Sequence, residues 1–200
     1  MSDIINKKVA SQLKKIRSEK GWSLDLTSQH CSVSKAMLGQ IERGESSPTI
    51  ATLWKIATGF SLPLSDFLGS EDNENLESKE HQSFTQGEAV TIKTVFEFNQ
   101  NTSMEMFELE LAVGHEQHSH AHQKGVIEHI VVVSGSMQYL VGSQWRTLHA
   151  GDKAKFTADQ QHAYRNIGNT VLRFFNIIHY PKKITLQHYN IKTPTSKDKK

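Results

Sequence analysis

The sequence predicts a two-domain α + β chain, with an N-terminal bundle of five short helices and a C-terminal antiparallel β sandwich or barrel. Three observations carry the prediction. Apolar residues recur three and four apart as far as Leu68, as in helices that each bury one stripe. From Phe84 onward they alternate in short runs punctuated by glycine, as in half-buried strands. Between the two patterns, SEDNENLESKEHQS holds five acidic residues, one lysine and a single leucine, too little apolar surface to fold by itself. The chain of 200 residues therefore divides into a helical domain at 1–69, an acidic linker at 70–83, a strand-rich domain at 84–190 and a polar basic tail at 191–200.

Bulk properties narrow the class. No apolar run is long enough to cross a bilayer, and residues 1–20 are charged and lack the apolar core of a secretory signal. Cys31 is the only cysteine, which excludes an intramolecular disulfide and a Cys₂His₂ or Cys₄ zinc module. A cytoplasmic protein with no membrane partner is expected. Residues 1–69 carry nine Lys/Arg against six Asp/Glu, whereas residues 70–200 carry fourteen against fifteen. The basic excess lies with the helices, the sign that contact with phosphate requires.

The first helix is amphipathic, with Val9, Leu13 and Ile16 on one side and lysines 7, 8, 14 and 15 on the other, and Gly21 stops it. Ser23 caps a second helix whose apolar set includes Leu24 and Leu26. A tight turn, Cys31-Ser32-Val33, leads to a third helix capped by Ser34 and ended by Gly44, with Met37, Leu38 and Ile41 as its buried stripe. A fourth helix follows Pro48 and Thr49, with Ile50, Leu53, Trp54 and Ile56. A short fifth follows Pro63, with Leu64, Phe67 and Leu68. Helices two and three joined by a tight turn are a helix-turn-helix arrangement. Lys35, Ala36, Gly39 and Gln40 lie mostly off the apolar stripe of the third helix, and their small or hydrogen-bonding side chains suit a face that approaches another polymer closely.

GWSLDL followed by VSKAMLGQIERGESSPTIATLWKIA resembles the XRE family of helix-turn-helix repressors over Ile5 to Leu68. The resemblance implies that Lys35, Ala36, Gly39 and Gln40 meet the major groove of a double-stranded operator. Gln can bridge adenine N6/N7, Lys can donate to guanine O6/N7, and Ala can meet a thymine methyl. Ser34 and Arg43 suit phosphate contacts, which position the helix without reading sequence. Two residues depart from the family habit: Ser32 stands where the turn commonly has glycine, and Thr27 where the second helix commonly has alanine.

In the remainder, VTIKTVFEFN, SMEMFELELAV, IEHIVVVSG, SMQYLVG and VLRFFNIIHY are the strand-like runs. Gly114 to Gly135 holds five of the eleven histidines. His120 and His122, two apart, share a face on an extended strand, and Glu128 leads the inward apolar row Ile130 and Val132. A carboxylate in that position needs a partner, and a metal is one candidate. His162 stands just past a turn in GDKAKFTADQQHAYRN.

These stretches resemble the two motifs of the cupin family, whose fold is a jelly-roll barrel. Gly114, His120, His122, Glu128 and Gly135 fall into the first motif, with one extra residue between His122 and Glu128. Gly151, His162 and Asn166 fall into the second, with Thr157 and Asp159 in place of Pro and Gly. The resemblance implies a divalent metal, zinc first and Fe, Mn or Ni as alternatives, held by His120, His122, Glu128 and His162. The extra residue leaves the register open: His118 and His120 can supply the pair, or His122 alone, and the same residues also fit surface histidines around a metal-free pocket.

Together, the two resemblances are to the sulphur-utilisation regulators of the XRE–cupin group. They imply a sequence-specific transcriptional regulator that binds its operator as a homodimer and senses a small-molecule effector, such as a sulphur amino acid, in the β domain. Phe156, Tyr164 and Phe175 are candidate walls of that pocket. The alternatives are a metal-dependent cupin dioxygenase or isomerase with an attached DNA-binding domain, and a sensor of the metal itself.

Overall fold

A computed structural model of the protein describes residues 2–68, 83–86 and 89–181; the greater part of the expected linker and all of the expected tail at 191–200 lie outside the described residues. The helical domain comprises α1 (Ser2–Glu19), α2 (Leu24–Cys31), α3 (Lys35–Glu42), α4 (Ile50–Phe60) and α5 (Ser65–Leu68). Their starts follow from capping. Ser23, Ser34 and Thr49 each take an extended backbone, and their hydroxyls accept from the amides of Leu26, Met37 and Thr52. Ser32 turns the chain between α2 and α3 at φ 51°, the left-handed conformation that favours glycine. Thr27 fits the buried crossing because its hydroxyl donates to the Ser23 carbonyl at 2.9 Å.

The bundle core is Leu13, Leu38, Ile41, Leu53, Ile56 and Phe60, all essentially inaccessible. Two residues expected in apolar stripes are corrected: Leu26 and Met37 are each 37% exposed. Leu26 and Met37 each precede a buried residue, Thr27 and Leu38, and the roughly 100° of rotation per helical residue carries them to the edge of the packed face. Arg17 of α1 clamps the end of α3, its Nε and Nη2 donating to the Glu42 carboxylate at 2.5 and 2.9 Å, while Nη1 donates to the Trp22 carbonyl at 2.8 Å.

α2 and α4 approach so closely at Gly59 that a Cβ there would lie 2.6 Å from Cα and Sγ of Cys31 and 2.8 Å from the His30 carbonyl. Gly59→Ala is therefore expected to destabilise the bundle by about 3 kcal/mol, at the upper end of ordinary overpacking because backbone atoms block it. Urea denaturation checks this. An unchanged midpoint would mean that the two helices are not in such contact.

The C-terminal domain forms two antiparallel sheets, the layers of a jelly-roll sandwich rather than one closed barrel. One has the order β1 (Ser83–Gln86), β2 (Val90–Asn99), β3 (Met104–Leu111), β10 (Leu172–His179), β5 (Ile127–Ser134), β8 (Lys153–Thr157). The other has β4 (Glu116–Ser119), β9 (His162–Asn166), β6 (Ser136–Val141), β7 (Gln144–His149). Alternation is regular: in β3, Glu105, Phe107, Leu109 and Leu111 point inward, and in β10, Leu172, Phe174, Asn176 and Ile178 do.

The helical bundle is docked on this sandwich. Glu105, fully buried, accepts from the backbone amides of Leu64 and Ser65 at the start of α5, at 3.1 and 2.9 Å, and from the Tyr180 hydroxyl. The Ser65 hydroxyl accepts from the Phe98 amide at 3.0 Å. Trp54 of α4 meets Phe107 edge-on, with ring centroids 6.2 Å apart.

Candidate nucleic-acid interface and metal centre

Ser34, Lys35, Ala36, Gln40 and Arg43 are all exposed on α3, and Met37 joins them on the same outer side. The exposed cations carry weak partners only: Lys35 Nζ lies 2.8 Å from Asp25, and Arg43 donates to Glu45 at 2.6 and 2.7 Å. Exposed pairs of this kind are weak and give way readily to a phosphate. Gly39 is the exception among the expected groove residues. It is buried, with the Arg43 guanidinium as its nearest cover: a Cβ there would stand 3.1 Å from Arg43 Nη1, and in ordinary contact at 3.9 Å with Leu24 Cδ1 of α2.

His122, Glu128 and His162 bring their ligand atoms within 4.8 Å of one another, and among the described residues no other group of three or more such side chains does so. Glu128 comes from β5 and His162 from β9, on opposing sheets. His122 comes from the loop after β4, anchored by its amide to the Ala158 carbonyl at 2.8 Å. His122 Nε2 is 2.8 Å from Glu128 Oε1, and His162 Nε2 is 3.3 Å from the same oxygen. The Tyr164 hydroxyl and Asn176 Nδ2 donate to Glu128 Oε2.

The expected pairing of His120 with His122 on a strand is corrected. β4 ends at Ser119, where its partner β9 begins at His162, and the longer segment before Glu128 forms a loop. Within β4 the inward residues are Gln117 and Ser119, while His118 points outward and meets Glu116 at 2.7 Å. His120 is exposed and outside the cluster, and only His122 returns to it. The arrangement is two imidazoles and one carboxylate, a donor set that would suit zinc or Fe(II).

One buried atom tests the fit of a cation. His162 Nδ1 is 2.9 Å from the Gln160 carbonyl, which can only accept, so Nδ1 carries the proton. The Nε2 of the neutral ring is then a bare lone pair, buried, without a hydrogen-bond partner and facing a carboxylate oxygen. A second proton or a metal ion is what that geometry accommodates. The ionisations agree. Burial pushes the Glu128 carboxyl up, but the charge of His162 and the hydrogen bonds of His122 and His162 outweigh it and hold it well below the carboxylate range. Burial pushes the His162 imidazole down, and the Glu128 charge and hydrogen bond overcome this to raise it.

Of the expected pocket walls, Tyr164 lines the space beside the cluster, and Phe156 packs on the His162 ring with centroids 5.5 Å apart. Phe175 is corrected: β10 alternates, so Phe174 and Asn176 face inward and Phe175 lies on the outer face. Sequence reasoning missed Asn176 and Trp54. The Trp54 ring stands 4.7 Å from that of His122, tilted at 44°. A signal for Trp54 was present, since α4 is apolar on more than one face, with Ile50, Leu53, Trp54, Ile56, Ala57 and Phe60 all buried.

Comparison with known proteins bears on both halves. Residues 13–67 match the family described as helix-turn-helix, and residues 107–178 match the cupin domain. The chain is 41% identical over 174 residues to the HTH-type transcriptional regulator SutR of Escherichia coli (strain K12), covering 87% of this chain and 96% of that protein. The crystal structure of an HTH_3 family transcriptional regulator from Vibrio cholerae superposes with a TM-score of 0.81 at 43% identity, covering 90% of this chain and 99% of the other.

Proposed function

This chain belongs to the helix-turn-helix transcriptional regulators with a C-terminal cupin domain, and we propose that it reads an operator as a homodimer under the control of a metal-containing effector site. The observation that carries the proposal is the outer side of α3, where Lys35, Ala36, Met37 and Gln40 stand exposed on a helix clamped by Arg17 and Glu42. Lys35 and Gln40 are its base-reading residues, and Ser34 and Arg43 its phosphate contacts. Gln40→Ala is expected to weaken operator binding by about 1–3 kcal/mol while sparing nonspecific, salt-sensitive binding. Equal loss on operator and random DNA would remove Gln40 from base reading.

One such helix reads few base pairs, so useful specificity calls for two copies on half-sites about one DNA turn apart. The outer face of the six-stranded sheet suits the dimer contact, since Phe96, Val131 and Val133 are 60%, 38% and 43% exposed there. Sedimentation of the purified protein tests this.

His122, Glu128 and His162 would hold a divalent metal, with Tyr164, Asn176 and the Gln160 carbonyl orienting them. When bound, the metal supplies open positions that a thiolate or carboxylate of an effector can occupy, and the sulphur-amino-acid class fits that chemistry. Zinc and Fe(II) both suit two imidazoles and a carboxylate. The site works where DNA is read, in the cytoplasm. The same triad would serve a cupin oxygenase or isomerase, and turnover of a thiol by the metal-loaded protein at ordinary enzyme rates would favour that reading over a purely regulatory one.

A further inference from the structure

The space between the sheets is closed by the DNA-binding domain. Ile50 and Trp54 of α4 line it together with Phe107, Glu128, Tyr164 and Asn176, and what remains is about 10 Å³, room for roughly one water. On its other side Trp54 borders a second small space with His122, Gln123 and Tyr180, also about 10 Å³. The indole is thus the partition between two remnants, tilted against the ring of His122. Neither of the two spaces that Trp54 divides admits a molecule larger than water while the indole stays where it is.

We infer that Trp54 is the lid of the effector site, so that an organic ligand at the triad and the docked position of α4 exclude each other. The inference rests on reading this space as the effector site, and it specifies how occupancy reaches DNA. α4 cannot shift independently of α2, because Gly59 lies against the backbone of Cys31 and the Cys31 thiol reaches the Ile56 carbonyl at 3.7 Å. Cys31 ends α2, and the next residue, Ser32, begins the turn into α3. Displacing one indole therefore moves the helix pair that reads the operator, through packed contacts that leave little slack. A ligand biases this equilibrium only by preferring the displaced state, which the steric conflict ensures.

The test uses the full-length protein carrying Trp54→Ala, titrated with indole. Indole should raise the melting temperature of the variant and leave that of the parent unchanged. The variant's operator affinity should differ from the parent's by more than about fivefold and return toward it when indole is bound. Operator affinity indifferent to both the substitution and bound indole overturns the inference. Should Trp54→Ala fail to fold, Trp54→Leu with benzene is held to the same criteria. A second measurement separates the lid from the effector reading. In Co²⁺-loaded protein labelled with 5-fluorotryptophan, the cobalt spectrum reports binding of L-cysteine, and the Trp54 fluorine signal, assigned with Trp54→Phe, reports the lid. A changed cobalt spectrum with an unmoved Trp54 signal overturns the lid and leaves the effector reading standing. An unchanged cobalt spectrum counts against the effector reading, and the indole result then decides the lid.

Discussion

Glu128→Gln is expected to leave the purified protein with almost no bound divalent metal, a loss of affinity exceeding the roughly 10–100-fold typical of changes to groups that merely orient ligands. The carboxylate is the only anion in the triad and accepts from Tyr164 and Asn176 on its second oxygen, so an amide removes the charge while keeping the shape. Elemental analysis with a zinc or iron titration measures it, and full stoichiometry in the variant would place the metal elsewhere. The parent's pH profile follows from the same geometry. Metal and proton compete for His162 Nε2, whose protonation is favoured beyond that of an ordinary imidazole, so metal affinity should keep rising as the pH climbs past 6.5. Glu128 lies well below 4.5 and adds no competition in that range. Without metal the cluster behaves oppositely. The contribution of His162 is full below 6.5 and is lost as the pH rises through its raised value, and that of Glu128 is full above 4.5 and is lost as the pH falls through its depressed one. The thermal stabilisation given by metal should therefore grow between pH 6 and 8. A gain independent of pH would exclude His162 as a ligand.

Glu105→Ala is expected to cost about 3 kcal/mol or more and to loosen the helical bundle from the sandwich. It strands three donors at once, the Leu64 and Ser65 amides and the Tyr180 hydroxyl, and each buried donor left unpaired costs about 1–3 kcal/mol. Tyr180→Phe removes one donor and should cost less, and the two changes should be strongly non-additive because they share the carboxylate. Denaturation and limited proteolysis between the domains measure the effect. A stable, protease-resistant Glu105→Ala protein would mean that docking does not depend on the Glu105 carboxylate.

Much of this was legible beforehand. Serine caps located α2 and α3, Pro48 and Thr49 marked the start of α4, and β2 spans the whole of the run VTIKTVFEFN. The short strands β1, β7, β8 and β9 escaped notice because four to six residues carry too little periodicity to stand out, and β9 is buried on almost every residue rather than alternating. Exposure of Met37 and burial of Gly39 were also hidden, since helical spacing gives a stripe's direction but not its width against two neighbours.

Local chemistry in the sequence determined the helix-turn-helix order, the exposed Lys35 and Gln40, and the supply of imidazoles and a carboxylate to one end of a β domain. These depend on caps, periodicity and spacing within a few residues. Only the tertiary structure decided which histidines meet: His122 rather than His120, because the strand pairing ends at Ser119 and a loop carries the chain back to Glu128. It alone set Trp54 over the triad and Glu105 over α5. Those contacts join residues 40 or more positions apart, and packing between two domains leaves no short-range pattern in either.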